Sequence, residues 1–204
     1  MKRGLFISFE GGDGSGKSTQ IRKLCDFLSE NGYDYILSRE PGGTSIGEQI
    51  RQIILDPENS EMDYLTEAYL YAASRAQHVS QVIRPALESG KTVVCDRFLD
   101  SSIAYQGYAR GLGACVEDIN SYAVGDCLPD ITFLLKVSPE TGKARRSSRE
   151  EDRIENEQLD FHQRVFNGYE KIEENSHGRV IGIDASMDID TIFGIIRTVI
   201  EERL

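Results

Sequence analysis

The sequence lacks tryptophan, a Cys-x-x-Cys pair and any long apolar run. Its four cysteines, at positions 25, 95, 115 and 127, are scattered like its three histidines, so the pattern gives no indication of zinc and favours reduced thiols. No apolar stretch approaches the roughly 20 residues that a membrane helix needs. No charged-then-apolar leader precedes the first apolar run. We therefore expect a cytoplasmic protein that does not bind membranes.

Positive charge is also scarce. Lysine and arginine total 23 against 34 aspartate and glutamate residues, which gives a net charge of -11 and a pI of about 4.8. This balance argues against a nucleic-acid partner or an anionic membrane surface. In so acidic a chain, any local group of arginines becomes more informative about phosphate binding.

Short apolar runs alternate with longer helical patterns along all 204 residues. The length suits a single domain, residues 1–204. The predicted strands are 5–9, 33–38, 92–95, 131–137 and 180–184. The predicted helices are 17–30, 45–55, 65–88 (bent or broken at Pro85), 101–108, 116–124, one beginning at Pro139, and 189–204. This order predicts an α/β fold with a five-stranded parallel sheet, helices on both faces, and ligands at the carboxyl ends of the strands.

A glycine-rich segment follows the first predicted strand. Residues 11–18 read G-G-D-G-S-G-K-S and match G-x-x-x-x-G-K-[ST], the phosphate-binding P-loop. Its backbone N–H groups and the N-terminus of the next helix can bind phosphate, while Lys17 can reach the β- and γ-phosphates. The residues expected to bind ATP are Gly11, Gly12, Asp13, Gly14, Ser15, Gly16, Lys17, Ser18 and Thr19.

A second strand ends in a carboxylate. Residues 93–96 read V-V-C-D, so Asp96 lies where P-loop proteins hold a carboxylate near the metal. With the Ser18 hydroxyl, Asp96 is a candidate Mg²⁺ ligand. An aspartate that only caps the following helix is the alternative interpretation.

Three arginines indicate the type of P-loop chemistry. The N-K-x-D motif of guanine-binding GTPases is absent. A kinase that phosphorylates a phosphate needs no general base, because the acceptor oxygen is already anionic; it needs positive charge instead. Arg51, Arg75 and Arg97 come from separate segments predicted to border one crevice, and guanidinium suits phosphate. Tyr71 precedes Arg75 by one helical turn, so a ring and a guanidinium could meet a base together.

A further arginine group lies at positions 145, 146, 149 and 153, interleaved with acidic residues. The plain interpretation is an exposed, salt-bridged helix surface. The alternative is a short lid, about residues 142–156, that brings an arginine to ATP. The P-loop itself has no arginine, so we expect one of the lid arginines to fill that role, with Arg149 and Arg153 as the candidate catalytic residues.

Taken together, these motifs resemble the bacterial thymidylate kinase family over essentially the whole chain. The matching segments are F-E-G at 9–11 leading into the P-loop, R-E-P-G-G-T at 39–44, Glu67 through R-A-Q-H at 75–78, D-R at 96–97, S-S-I-A-Y-Q-G at 101–107 and D-R-I-E at 152–155. The resemblance implies the P-loop NTPase fold with a short arginine-bearing lid. It also implies transfer of the γ-phosphoryl group of ATP to dTMP with Mg²⁺, in dTTP biosynthesis, by a homodimer.

The resemblance also implies roles for individual residues on the phosphate side of the acceptor. Asp13 matches a carboxylate near the sugar or acceptor phosphate. Glu40 matches a residue close to the acceptor and its metal. Arg51, Arg75 and Arg97 match the arginines around the dTMP phosphate and base. The expected catalytic residues are Lys17, Asp13, Arg97, Arg149 and Arg153.

On the base side, Tyr71 falls where the family usually has a phenylalanine stacked on thymine, and tyrosine can stack as well. Ser102 and Gln106 match residues that hydrogen-bond thymine, and Arg75 is placed to reach the ring. Tyr105 matches an aromatic residue that crowds the 2′ position and favours deoxyribose. Two alternatives remain open at this point: a kinase for dUMP or another nucleoside monophosphate, and a nucleotide-binding module without catalysis.

Overall fold

The computed structural model describes residues 3–145 and 151–204. Within them, five parallel strands form one sheet in the order β2-β3-β1-β4-β5. Their bounds are β1 Phe6–Glu10, β2 Tyr35–Arg39, β3 Thr92–Asp96, β4 Ile131–Lys136 and β5 Val180–Asp184. The predicted parallel α/β sheet is confirmed, with each strand within two residues of its predicted bounds.

Strand burial follows position in the sheet. The three inner strands are almost wholly buried, as expected for strands covered on both faces, whereas the edge strand β2 is half exposed. In register, Phe9 pairs with Asp96 and Glu10 with Leu134. The polar ends of β1 and β3 therefore lie side by side at the carboxyl edge of the sheet.

Helices cover both faces of the sheet. They are α1 Lys17–Glu30, α2 Ser45–Leu55, α3 Tyr64–His78, α4 Arg84–Glu88, α5 Leu99–Ser102, α6 Cys115–Val124, α7 Pro139–Arg145, α8 Leu159–Asn175 and α9 Ile189–Glu201. Two π-helical segments, Val79–Ile83 and Ile103–Ala109, continue α3 and α5. Leu24 and Ile196 belong to the core on the α1–α9 face, and Ile83 and Val93 to the core on the opposite face.

Two helix predictions need correction. Pro85 interrupts the predicted long α-helix without ending the helical path, because the backbone at Ile83 and Arg84 stays helical and a separate segment, α4, begins at Arg84. The π-helical turn Val79–Ile83 precedes it. The helix predicted over 101–108 is instead the short α5 followed by the wider π-helical segment.

One long helix was absent from the predictions. Helix α8 buries Phe161, Val165, Tyr169 and Ile172, which follow helical spacing, and it packs against the π-helical segment Ile103–Ala109. No helix in the described ranges is long and apolar enough to span a membrane. All four cysteines are free thiols.

Candidate active site

The glycine loop forms a tight turn between β1 and α1. Gly14 and Gly16 have φ of 79° and 92°, which favours glycine. A Cβ on Gly14 would lie 2.2 Å from the Gly142 carbonyl oxygen, so the loop packs directly against α7. No side chain caps the N-terminus of α1. Its first N–H groups can therefore serve an anion.

Lys17, the first residue of α1, folds back over this loop. Its Nζ donates to the carbonyl oxygens of Gly11 at 3.0 Å and Gly12 at 3.1 Å. Burial lowers the pKa of Lys17 to about 8, and the nearby Arg97 acts in the same direction. A bound phosphate would stabilise the protonated amine, so Lys17 is suited to bind the phosphate groups of a nucleotide.

A cleft of about 580 Å³ opens beside the loop and joins it to the expected acceptor residues. The predicted site residues that line it are Asp13, Gly14, Gly16, Lys17, Ser18, Thr19, Glu40, Arg51, Tyr71, Arg75, Asp96, Arg97, Tyr105 and Gln106. Gly11 and Gly12 instead line a separate cavity of about 30 Å³, which is room for about one water molecule. Ser15 is buried within the loop.

Arg97 is held in position by both its backbone and its side chain. Its φ of 68° is uncommon for a residue with a side chain. Its N–H donates to the Phe9 carbonyl at 2.9 Å. Its guanidinium donates to Asp13 at 2.7 Å, Ser101 at 3.1 Å and the Tyr169 hydroxyl at 3.2 Å. Arg97 therefore connects the end of β3 to the glycine loop.

Glu10, to which the sequence analysis assigned no role in the site, forms hydrogen bonds with two of the residues that contact Arg97. Its carboxylate accepts from the Phe98 N–H at 2.7 Å, Ser101 Oγ at 2.5 Å and the Tyr169 hydroxyl at 2.8 Å. Burial raises the pKa of Glu10 to about 7, and the neighbouring Asp100 adds to the rise. A charged residue at the end of a buried strand, directly before the glycine loop, was the available sequence signal.

Arg75 lies in a buried polar network. Its guanidinium donates to Glu40 at 2.7 Å, Ser102 at 3.1 Å and the Phe98 carbonyl at 3.1 Å, and also to Asn120. The other Glu40 oxygen is bonded to His78 at 2.9 Å. Within the described ranges, four of the five guanidinium N–H groups are thus used, and one on Nη2 is left for a ligand. Ser102 reaches the site only through Arg75, since it does not line the cleft.

The remaining acceptor-side residues come from three elements. Arg51 of α2 donates to the Pro41 carbonyl at 2.9 Å, and burial lowers its pKa. Burial also raises the pKa of the Tyr71 phenol. The Tyr105 ring packs against Phe161, and its buried hydroxyl has no hydrogen-bond partner among the described residues. Tyr105 therefore presents an aromatic wall to the cleft.

Ser18, in the first turn of α1, and Asp96, the last residue of β3, both line the cleft. The predicted metal site requires that they do. Asp96 Oδ1 is buried without a hydrogen-bond partner in the part of the chain that the structure describes. No group of three or more His, Cys, Asp and Glu residues there could hold a metal alone. This donor set fits Mg²⁺, which commonly uses one or two carboxylates together with substrate phosphates and water.

The expected lid residues have different positions. Residues 146–150, and Arg149 with them, lie outside the described ranges. Arg153 does not line the cleft: its guanidinium donates to the Ile54 carbonyl at 2.8 Å and to buried Glu67 at 2.6 Å. The structure therefore does not bring Arg153 to the phosphates, because a buried carboxylate holds it. Arg145, at the end of α7, does line the cleft.

The parallel sheet, the glycine loop at the end of β1 and the cleft beside it define a P-loop NTPase fold. Comparisons with known proteins narrow this class. The family model described as "Thymidylate kinase" matches residues 9–194. The chain belongs to the thymidylate kinase family, as the resemblance in its sequence predicted.

Individual relatives agree over nearly their full lengths. The thymidylate kinase of Symbiobacterium thermophilum is 50% identical over 201 residues, covering 98% of this chain and 94% of the relative. That of Finegoldia magna is 51% identical, with 98% of both chains covered. The crystal structure of thymidylate kinase from Ehrlichia chaffeensis matches with a TM-score of 0.79 at 33% identity, covering 98% of this chain and 99% of that one.

Proposed function

We propose that this chain transfers the γ-phosphoryl group of ATP to dTMP, giving ADP and dTDP in dTTP biosynthesis. One observation carries the proposal: a single cleft joins the phosphate-binding loop, at Asp13, Gly14, Gly16 and Lys17, to a wall of arginine, tyrosine and glutamine side chains. The donor and the acceptor can therefore meet in one cavity. Family membership supports the same reaction.

On the donor side, the loop N–H groups and the N-terminus of α1 bind the ATP phosphates, and Lys17 leaves its loop carbonyls to reach the transferring group. Ser18 and Asp96 would hold Mg²⁺, which would neutralise phosphate charge when bound. Among the described residues of the proposed lid, Arg145 is the positively charged residue that lines the cleft. Arg149 remains a predicted contact.

On the acceptor side, Arg51, Arg75 and Arg97 supply the positive charge that brings two anions together. No general base is needed, because a phosphate monoester oxygen is already ionised near neutral pH. The Arg97–Asp13 ion pair joins the acceptor wall to the loop. Positioning and charge stabilisation thus account for the chemistry.

The base and sugar face the aromatic end of the cleft. Tyr71 supplies a ring for stacking, and Tyr105 restricts space beside the sugar. Gln106 offers an amide to the base edge, with Ser102 acting through Arg75. Glu40 orients Arg75 from the opposite side.

We further propose that the protein is a cytoplasmic homodimer. Helices α2 and α3 pack together, and α3 packs on α6. They expose the large apolar side chains Ile46, Ile53, Leu65, Tyr69 and Tyr122. A second copy of the chain would cover this apolar surface, whereas a monomer at micromolar concentration in sedimentation velocity would refute it.

The proposed reaction is tested by mixing the protein, ATP, Mg²⁺ and dTMP and separating dTDP by chromatography. The Lys17→Ala variant, purified identically, controls for a contaminating kinase. We expect dTDP from the unaltered protein and roughly 10³-fold less from the variant. ATP binding without dTDP would indicate a module without catalysis, and faster turnover of dUMP would indicate a different acceptor.

A further inference from the structure

Glu67 is a fully buried carboxylate on α3 that the proposed reaction does not use. It accepts from Gln106 Nε2 at 2.8 Å, from Arg110 at 3.2 and 3.3 Å, and from Arg153 at 2.6 Å. Its negative charge is paired with both guanidinium groups, and Arg110 also pairs with Glu157. Neither guanidinium group explains why a cleft-lining glutamine is bonded to the same carboxylate.

Glu67 also lies on the helix face that builds the acceptor wall. Tyr71 follows it by one helical turn and Arg75 by two, so all three side chains share one face of α3. Tyr71 and Arg75 line the cleft, and Gln106 reaches it from the π-helical segment. Glu67 thus lies directly behind the part of the cleft assigned to the base.

The chemistry of the contact fixes the orientation of the Gln106 amide. A glutamine can present either its oxygen or its NH₂ group, but an ionised carboxylate only accepts hydrogen bonds. Nε2 must therefore face Glu67, which leaves Oε1 as the amide atom available to the cleft. Among the described residues, no hydrogen bond uses that oxygen, so the cleft retains one fixed acceptor.

We propose that Glu67 is a positioning residue that locks Gln106 as an acceptor and thereby selects pyrimidines carrying an N3–H. The inference rests on the proposed function and deepens it. Thymine and uracil donate from N3 and accept at O4, matching Gln106 Oε1 and the remaining N–H of Arg75. Cytosine reverses both groups, with an unprotonated N3 and an amino group at C4. With cytosine, an acceptor would face an acceptor and a donor would face a donor. Both buried groups would lack a hydrogen bond, which lowers the affinity for the wrong base strongly.

The test compares dTMP with 5-methyl-dCMP, which keeps the methyl group and reverses only the base edge. In Glu67→Gln, the side chain at position 67 can donate or accept a hydrogen bond. The Gln106 amide can then rotate so that either its oxygen or its NH₂ group faces the cleft. We expect the ratio of kcat/KM for dTMP to that for 5-methyl-dCMP to fall at least about tenfold. An unchanged ratio overturns the proposal.

Arg110→Gln is the matched control, because it removes an ion-pair partner from the same carboxylate and leaves the Gln106 contact intact. Its ratio should stay within about twofold of the unaltered protein. An equal loss in both variants would mean that Glu67 acts only through general packing, which overturns the proposal. Absence of dTDP from the unaltered protein would instead refute the proposed function.

Two further measurements apply if Glu67→Gln does not fold. Glu67→Asp keeps the charge between the arginines but shortens the side chain by one methylene group, and it should lower the ratio in the same direction. In the unaltered protein, NMR signals of the Gln106 NH₂ group, assigned by their loss in Gln106→Met, should exchange slowly with solvent. Rapid exchange of both protons contradicts the locked orientation.

Discussion

The two halves of the cleft are built by different means. The donor half consists of consecutive residues, 11–19, whose backbone N–H groups and one lysine do the binding. The acceptor half consists of side chains from α2, α3, the turn after β3 and the π-helical segment Ile103–Ala109, held by buried ion pairs. A backbone-built site depends on a few residue types at fixed spacing, whereas a side-chain-built site depends on its whole supporting network.

The sharpest test of the donor half is Lys17→Ala. We expect turnover to fall roughly 10³-fold, equal to about 4 kcal/mol of transition-state stabilisation, because one buried cation serves the transferring phosphate. Thermal unfolding should change little, since the hydrogen bonds that the amine forms with described residues go to loop carbonyls. Initial rates of ADP release measure the effect. Turnover within tenfold of the unaltered protein would remove Lys17 from the reaction.

Substitutions in the network that supports the acceptor half should instead lower the free energy of unfolding. Glu40→Gln leaves the buried Arg75 without its ion-pair partner, so we expect a loss of roughly 3 kcal/mol. For a chain of this length, that corresponds to a fall in Tm of about 6–12 °C. Circular dichroism on heating measures it.

Glu174→Gln is the matched control for that variant, because its exposed pair with Lys171 should contribute little. If Glu40→Gln unfolds at the same temperature as Glu174→Gln, the buried network does not support the acceptor wall.

The pKa of Lys17 predicts a pH dependence confined to the donor half. Free protein has a lysine with a pKa of about 8, while bound phosphate keeps it protonated, so ATP binding takes up a proton above that pH. We expect ATP affinity to weaken up to about tenfold per pH unit above pH 8. Calorimetry in two buffers of different ionisation enthalpy measures the uptake. Lys17→Arg should abolish it, and a flat profile in the unaltered protein would contradict the shift.

The smallest expected effect concerns the Tyr105 hydroxyl. It is buried near the Arg97 guanidinium and forms no hydrogen bond of normal geometry among the described residues, so Tyr105→Phe should change the free energy of unfolding by less than about 1 kcal/mol. The ring remains, and the preference for dTMP over UMP should remain with it. Urea titration measures the stability. A loss larger than this would show that the hydroxyl has a structural partner.

The same contrast explains what the sequence could predict. The five strands and the glycine loop were predictable because their signals are local: short apolar runs, and glycines at fixed spacing before Lys17. Helix α8 carried an equally local signal in Phe161, Val165 and Tyr169 and was still missed.

The supporting carboxylates required three-dimensional information. Glu10 and Glu67 act through partners about 90 and 40 positions away, which no spacing rule reveals. Arg153 has the charge expected of a phosphate contact, but a buried carboxylate holds it, and only the fold determines which anion an arginine meets.

The most direct test of the two-part account is calorimetric titration of each ligand alone into Lys17→Ala and Arg51→Ala. Lys17→Ala should lose at least about tenfold in ATP affinity and bind dTMP within about threefold of the unaltered protein, and Arg51→Ala should show the reverse. Equal losses for both ligands in either variant would contradict separately built halves.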